Sequence, residues 1–182
     1  DIIEEVIRIN GYNKLVESSL EPNFTKKQPV LSFNEYRNRN VSSSLVQRGL
    51  LETVTFSFLS KKDAILYSED IMPIKLDNPI SEELSVMRPS LLPNLINIFV
   101  KNCNKGLKNF GLYEVGSIYL GCNDNDQILC SSGIRSGQIE SRHWAIEVRE
   151  YDIYDSKKDA FCALEAMGIN IKSINLNKNT PK

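Results

Sequence analysis

Two strand-like runs separated by a short polar loop are the feature that most restricts the fold of this chain. Residues 110–120 and 128–135 have the composition of strands, and residues 122–127 between them are almost entirely polar. Strands this close in sequence pair antiparallel, because a parallel pair needs a crossover connection of about a dozen residues or more. The sequence therefore predicts an antiparallel hairpin.

The strongest helical pattern precedes this hairpin. Apolar residues recur every three or four positions across residues 92–103, Pro89 lies near the start of the run, and Gly106 follows its end. Proline in the first turn and glycine after the last are typical helix boundaries, and an apolar stripe predicts one buried face. That stripe consists of Leu92, Leu95, Ile96, Phe99 and Cys103.

A helix, a glycine and a strand form the first clear structural unit. Ser32 and Glu35 fit a capping box, in which a hydroxyl and a carboxylate bind free N–H groups at a helix start. The helix is predicted to continue to about Arg48, with Gly49 ending it. Polar and apolar residues then alternate strictly across residues 53–58, which predicts a half-buried strand. Its apolar face would contain Val54, Phe56 and Phe58.

The remaining elements are shorter or less regular. The pattern predicts a short helix after Ser60, a short strand at residues 74–76, and a last helix from about Asp155 to Met167. Strands that neighbour strands, with helices interspersed irregularly, are typical of an α+β fold with an antiparallel β-sheet flanked by helices. In the last helix the predicted inward residues are Ala160, Phe161, Leu164 and Met167.

The beginning of the chain is predicted to lie outside the main domain. Apolar residues recur at helical spacing up to Gly11, which is placed to end that helix, and residues 13–30 have little periodicity. We therefore divide the chain into residues 1–30, the tail of a preceding small domain with its connector, and a core module at residues 31–182. Because the chain does not start with Met, it is expected to be part of a longer protein.

Composition excludes several classes of function. The 182 residues contain 22 Lys and Arg against 23 Asp and Glu, a net charge of −1, so the overall positive field that drives indiscriminate nucleic-acid binding is absent. No apolar run approaches the roughly 20 residues that span a bilayer. The cysteines lack metal-ligand spacing, which predicts free thiols in a reducing cytoplasm. They are Cys103, Cys122, Cys130 and Cys162.

One acidic cluster has the spacing of a metal site. Asp1, Glu4 and Glu5 lie at positions i, i+3 and i+4, on one side of the predicted first helix. Ligands that are all oxygen suit magnesium, which keeps several waters and would need further ligands from elsewhere. The alternative is a solvated acidic helix face, which is a common pattern.

Basic residues give a second signal. Lys101, Lys105 and Lys108 lie away from the apolar stripe and could contact an RNA backbone. The alternative is that cations at a helix end offset the dipole of that helix. Arg37 and Arg39 have the same ambiguity.

Nucleophilic catalysis has little support. His143 is the single histidine, so any triad with a histidine base would have to use it, and its neighbours offer no motif context. The glycines form neither a G-x-G-x-x-G pattern nor a P-loop. The sequence therefore predicts no phosphate-binding loop.

Four segments, taken in order, carry a family resemblance. They are DIIEEVIRINGY, RGLLETVTFSF, LDNPISEELSVMRPSLLPNLI and NFGLYEVGSIY. Together they resemble successive landmarks of the bacterial phenylalanyl-tRNA synthetase β chain. The resemblance implies a class II aminoacyl-tRNA synthetase-like module. Residues 32–58 would be the first class II motif, at a subunit interface, and residues 110–135 would take the place of the second. The third motif is absent before Lys182, so the module is expected to be truncated at its C-terminal end.

The same resemblance implies where the chemistry lies. In that family an α2β2 enzyme joins phenylalanine to its tRNA using ATP, and catalysis belongs to the α chain. A working class II site needs an Arg in the second motif to hold the α-phosphate of ATP. The loop of residues 122–127 contains none, and its Asp124 and Asp126 would repel a triphosphate. We therefore expect a non-catalytic scaffold for the α chain.

The resemblance also favours the metal interpretation of the acidic cluster. In the family a D-x-x-E-E pattern binds a magnesium ion shared with the α chain, and Asp1, Glu4 and Glu5 match that pattern. A further ligand of that site lies upstream, so the site would be incomplete in this chain alone. Asp1 is then expected to fray.

Two rival hypotheses stay open at this point. A self-contained class II ligase would build its site from Arg88, Arg135 and Glu114. An RNA-binding module would use the three lysines named above together with Arg39. Under the main hypothesis the protein is cytoplasmic, contacts tRNA through the whole enzyme and does not associate with a membrane.

Overall fold

The computed structural model describes most of the chain. The described residues are 1–19, 29–68, 72–140, 144–145 and 147–174. His143 and part of the predicted connector, residues 20–28, lie outside them. Within the described residues no helix is long and apolar enough to cross a membrane.

The chain divides into two compact units, Asp1–Ser32 and Phe33–Lys182. In the first unit, α1 (Ile2–Asn10) ends at Gly11, whose φ of 101° lies in the left-handed region that favours glycine. The predicted helix end is therefore confirmed. A 3₁₀ turn, Tyr12–Lys14, follows.

The second unit mixes helices and short strands. In chain order its described α-helices and strands are α2 (Phe33–Gln47), β1 (Leu51–Glu52), β2 (Phe58–Leu59), α3 (Lys61–Leu66), β3 (Val86–Met87), α4 (Leu92–Asn104), β4 (Phe110–Tyr119), β5 (Gln127–Ser136) and α5 (Ile153–Ala166). The α+β class is confirmed, as are the predicted helices at α2, α3, α4 and α5.

The hairpin of β4 and β5 is the main part of the sheet. The two strands pair antiparallel along their whole length, from Phe110 opposite Ser136 to Tyr119 opposite Gln127. This confirms the predicted hairpin. On the other side of β4, the two-residue β1 pairs in parallel, so the strand order is β1-β4-β5. A separate antiparallel pair joins β2 and β3.

One face of this sheet is covered by α2 and α5. Tyr113 of β4 is fully buried there, and Val115 packs against the same cluster. Side chains alternate along a strand, so these two residues share a face. The other buried members of the cluster are Val41 and Leu45 of α2, Leu50, and Ala163 of α5.

The opposite face of the sheet lies against α4. Phe99 of α4 stacks on Phe110 of β4 with ring centroids 4.8 Å apart. A Cβ added at Gly116 would meet Leu91, immediately before α4. Helices therefore flank both faces of the sheet. In α4 the predicted stripe is only partly buried, because Leu95 is inaccessible whereas Leu92 is exposed.

The strand predicted at residues 53–58 is wrong in both extent and orientation. Only Phe58 belongs to a strand, and Val54 and Phe56 are 89% and 70% exposed. The polar residues between them are partly buried instead. The alternation is real, but the polar set faces inward because it binds groups inside the protein.

Two smaller predictions also need correction. At residues 74–76 no strand forms, and Lys75 makes an isolated bridge with Val86. In α5 the predicted inward residue Ala160 is exposed, whereas Asp159 is buried together with Ala163. The charged residue turns inward because two arginines bind it.

Candidate functional site

A buried ion pair between Arg88 and Glu114 lies on the α4 side of the sheet. The two side chains are 4% and 3% exposed, and Arg88 donates from Nη1 to Glu114 Oε1 at 2.7 Å. Arg88 also donates from Nε to the Ser117 carbonyl at 2.8 Å. A charge can be buried only when it is paired and hydrogen-bonded, and this cluster meets both conditions.

Thr55 joins that ion pair to residues 53–57. Its hydroxyl donates to Glu114 Oε2 at 2.8 Å and accepts from Arg88 Nη1 at 2.9 Å, and its N–H donates to Glu114 Oε1 at 3.3 Å. The backbone N–H of Arg88 donates to the Ser57 carbonyl at 2.9 Å, and Asn94 Nδ2 donates to the Phe56 carbonyl at 2.7 Å. This segment is thus held by its backbone and by its polar side chains.

A second charged cluster lies on the α5 side of the sheet and was missed by the sequence prediction. Asp159 of α5 accepts from Arg48 Nε at 2.6 Å and from Arg135 Nη2 at 3.1 Å, and Arg135 Nε also binds it. Arg135 further donates to the Arg48 carbonyl at 2.6 Å and stacks over the Tyr151 ring at 4.8 Å. An Asp one turn before Ala163, on the inward side of a helix, was the available signal.

The three residues of the self-contained ligase hypothesis do not form one site. Arg135 lies opposite Gly111 in the hairpin register, and a Cβ at Gly111 would meet the Arg135 side chain. Glu114 follows Gly111 by three residues, and an odd separation along a strand places side chains on opposite faces. Arg88 is therefore together with Glu114, while Arg135 binds Asp159 on the other side of the sheet.

The acidic residues of the first unit remain at the surface. Asp1, Glu4 and Glu5 are exposed, and Asp1 immediately precedes α1. Glu5 accepts from Arg8 at 2.6 Å and 3.0 Å. In the part of the chain that the structure describes, no three His, Cys, Asp or Glu side chains are grouped so that they could hold a metal ion. The three carboxylates thus fit magnesium in ligand type but not, by themselves, in arrangement.

The basic residues of the RNA hypothesis are divided between two elements. Lys101, Lys105 and Lys108 are exposed at the end of α4 and just beyond it, whereas Arg39 is exposed on α2. These two helices cover opposite faces of the sheet. Arg37 donates to the Met167 carbonyl and lies over the Phe33 ring, so its guanidinium has a local role.

The hairpin loop has its own internal structure. Residues Asp124–Asp126 form a 3₁₀ turn, and the Asp126 carboxylate accepts from the backbone N–H and side-chain amide of Asn123 at 3.1 Å and 2.8 Å. One of the two acidic residues expected to repel a triphosphate therefore shapes the loop.

All four cysteines are free thiols, and burial raises the pKa of Cys130.

Comparison with known proteins gives the family. The model described as the phenylalanyl tRNA synthetase beta chain CLM domain matches residues 19–181. The chain belongs to this CLM-domain family. The β-chain resemblance drawn from four sequence segments is thereby confirmed.

Three relatives of this CLM-domain chain are phenylalanine–tRNA ligase beta subunits. That of Paramagnetospirillum magneticum is 40% identical, and those of Bartonella henselae and Rhodospirillum rubrum are 38% identical, each over 100% of this chain. The chain spans only 23%, 23% and 22% of their respective lengths. The matched part is thus one portion of a longer subunit in those proteins.

Two solved structures of pyrrolysyl-tRNA synthetase have some similarity to this chain. A structure of the pyrrolysyl-tRNA synthetase PylSc of Desulfitobacterium hafniense is 19% identical with a TM-score of 0.48, covering 74% of this chain and 45% of that one. A second structure of pyrrolysyl-tRNA synthetase from the same organism is 20% identical with a TM-score of 0.47, covering 80% and 50%.

Proposed function

We propose that this CLM-domain chain is part of the β subunit of a bacterial phenylalanyl-tRNA synthetase and scaffolds the α chain without catalysing a reaction itself. The whole α2β2 enzyme would attach phenylalanine to its tRNA in the cytoplasm, using ATP. Family membership supports the enzyme. The scaffold role rests on one observation, the outward-facing apolar residues Val54 and Phe56, which we call the Val54–Phe56 surface.

The Val54–Phe56 surface has the character of a protein interface. Both side chains are largely exposed, although the segment that carries them is hydrogen-bonded through its backbone at Thr53, Thr55 and Phe56. They border a groove of about 920 Å³ between this segment and the outer side of α4, which includes Ile98 and Val100. Large exposed apolar patches mark interaction sites, and two exposed apolar side chains beside a groove support that interpretation here.

The ion pairs of the buried arginines support a module that catalyses no reaction itself. Arg88 and Arg135 each bind a buried carboxylate, and their side chains are both 4% exposed. A guanidinium in such a pair could bind a phosphate only by leaving its carboxylate charged and unpaired, which is costly. Neither arginine is thus available to hold ATP.

We also propose the domain assignment made from the sequence. Residues 1–30 would belong to the end of a preceding small domain and its connector, and residues 31–182 to a class II synthetase-like core. The division into compact units after Ser32 is consistent with this boundary. Expression of each part separately, followed by measurement of cooperative unfolding, tests the assignment.

Substitution on the Val54–Phe56 surface tests the scaffold role. In the full-length β chain produced with its α chain, Val54→Asp should reduce the yield of the heterotetramer measured by sedimentation velocity. Ile80→Asp is the matched control, because Ile80 is 93% exposed and Val54 is 89% exposed. Equal assembly of the two variants would contradict an interface at Val54.

The ligase alternative has its own test. Formation of phenylalanyl-adenylate from ATP by the β chain without the α chain, measured by pyrophosphate exchange, would contradict a scaffold without chemistry. We expect no exchange above background. Adding the α chain should restore the reaction and serves as the positive control.

For the acidic cluster we propose a shared magnesium site. Asp1, Glu4 and Glu5 offer exposed carboxylates of the type magnesium prefers, and ligands from outside this chain would complete the coordination. Glu5 would have to leave Arg8 to take part. When bound, the ion would tie the two chains together at these carboxylates.

Manganese in place of magnesium gives a readout other than activity. Binding of Mn²⁺ to the assembled enzyme, followed by electron paramagnetic resonance, should weaken about tenfold or more in Glu4→Gln, since one charged ligand is lost. Glu17→Gln is the control, because Glu17 is exposed in the same unit and outside the cluster. Unchanged Mn²⁺ affinity in Glu4→Gln would remove the acidic cluster from the site.

Contact with tRNA is proposed for the whole enzyme and not for a basic patch on this module. Lys101 lies in α4, and Lys105 and Lys108 follow its end, whereas Arg39 lies on α2, which covers the opposite face of the sheet. We therefore propose that these four residues do not form one continuous basic patch. Charge reversal at Lys101 and Lys105 should leave tRNA affinity of the assembled enzyme within about twofold. A loss of tenfold or more would favour the RNA-binding alternative.

A further inference from the structure

An alternating segment can bury either of its two faces, and residues 53–57 bury the polar one. Apolar residues usually occupy the buried side of such a segment, and a shift by one residue exchanges the two sides completely. Here Val54 and Phe56 are exposed while Thr55 points inward to a charged pair. Something in the interior must therefore select this orientation.

The geometry points to Arg88 and Glu114 as positioning residues for the Val54–Phe56 surface. The Thr55 hydroxyl lies between them, at 2.9 Å from Arg88 Nη1 and 2.8 Å from Glu114 Oε2. Neighbouring side chains of an extended segment project to opposite sides. Holding Thr55 inward therefore holds Val54 and Phe56 outward. The identity of the partner that this surface meets, the α chain, rests on the proposed function.

A charged pair performs this role better than apolar residues would. Replacing a buried ion pair by apolar side chains of similar volume is often neutral for stability, so stability alone does not explain Arg88 and Glu114. Apolar residues at these two positions would give the Thr55 hydroxyl and N–H no partner. They would also accept Val54 or Phe56 in place of Thr55. The polar interior thus specifies which face is buried.

Two variants of the full-length β chain, assembled with the α chain, test this inference. The double variant R88M/E114L removes the charges while keeping apolar volume, and Thr55→Val removes only the hydroxyl between them. In both, backbone amides of residues 53–57 should exchange with solvent about tenfold faster, which corresponds to loss of roughly one hydrogen bond. Affinity for the α chain should fall by a similar factor.

Thr53→Val is the matched control. The Thr53 hydroxyl donates to the Tyr113 carbonyl at 2.9 Å, and within the described part of the chain it makes no hydrogen bond to Arg88 or Glu114. The same loss of a hydroxyl at this position should leave α-chain affinity within about twofold. The comparison separates the pair from the general effect of a threonine-to-valine change.

The outcomes distinguish the positioning role from the interface itself. Unchanged exchange at residues 53–57 in both R88M/E114L and Thr55→Val would overturn the positioning role. A second outcome is faster exchange in R88M/E114L and Thr55→Val, with α-chain affinity unchanged in these variants and in Val54→Asp. It would support the positioning role but show that the α chain is not the partner of this surface. Weaker assembly in Val54→Asp, with Thr55→Val and the double variant like the wild type, would overturn the positioning role and leave the proposed function standing.

Discussion

Glu114 and Arg135 lie on paired strands of one hairpin but project from opposite faces of the sheet. Their partners lie on different sides of the sheet. Glu114 binds Arg88 on the α4 side, and Arg135 binds Asp159 of α5 on the other side. Within the described residues, two separate buried charged clusters therefore lie on the two sides of the sheet. Each can be altered without removing a partner of the other.

Loss of the Asp159 carboxylate should strongly destabilise the second unit. Asp159→Asn leaves Arg135, whose side chain is 4% exposed, and the partly buried Arg48 without their carboxylate. The expected loss is about 3 kcal/mol in the free energy of unfolding, measured by guanidinium denaturation. Asp124→Asn, in the exposed hairpin loop, is the control and should change that free energy by less than about 0.5 kcal/mol. Similar effects of the two changes would contradict a buried role for Asp159.

Asp155 should make stability depend on acidity below its ordinary titration range. The Arg149 guanidinium, donating at 2.7 Å and 2.9 Å, and the Asp152 N–H hold the pKa of Asp155 well below its usual value. Because the folded-state pKa is depressed, the stabilisation is fully present above the unfolded pKa of about 4 and is lost as pH falls toward the folded value. Unfolding midpoints of the wild type and Asp155→Asn should therefore converge between pH 4 and the acid limit of about pH 2. A constant difference down to pH 2 would contradict the assignment.

Gly116 should not tolerate even a methyl group. A Cβ at this position would overlap the Arg88 guanidinium, which the Ser117 carbonyl and Glu114 hold in place. Gly116→Ala should cost about 1–3 kcal/mol, the usual range for overpacking, as measured by thermal or chemical unfolding.

Gly133 provides the matched control on the partner strand. A Cβ there would make only ordinary contacts, at 3.4 Å from the Leu112 carbonyl and from the Leu50 side chain. Gly133→Ala should be neutral or slightly stabilising, because alanine loses less conformational entropy on folding. If Gly133→Ala cost as much as Gly116→Ala, the effect would come from the strand backbone and not from Arg88.

Removal of the Tyr113 hydroxyl should change the free energy of unfolding only slightly. The residue is fully buried, and burial raises its pKa. Its hydroxyl lies near the Ser42 and Glu52 side chains but, among the described residues, makes no hydrogen bond of normal distance and angle. An unpaired buried hydroxyl is a cost, so Tyr113→Phe should leave the free energy of unfolding unchanged or raise it by up to about 1 kcal/mol. A loss greater than that, measured by denaturation, would mean that the hydroxyl is bonded in solution.

Local patterns in the sequence determined the hairpin, the helices and the family. Strand composition on both sides of a polar loop gives a hairpin because a short connection permits only antiparallel pairing. Gly11 ends α1 because its backbone adopts a left-handed conformation that other residues avoid. The order of short motifs was enough to predict the β-chain family.

Tertiary structure alone decided which face of residues 53–57 is buried and which carboxylate each arginine binds. Alternation specifies two faces but not their orientation, and the buried Arg88 and Glu114 reverse the orientation that apolar residues would favour. Arg48 and Asp159 are 111 residues apart in sequence, so no local pattern connects them. Such pairings depend on which helices pack on which side of the sheet, and packing brings them together only in the folded chain.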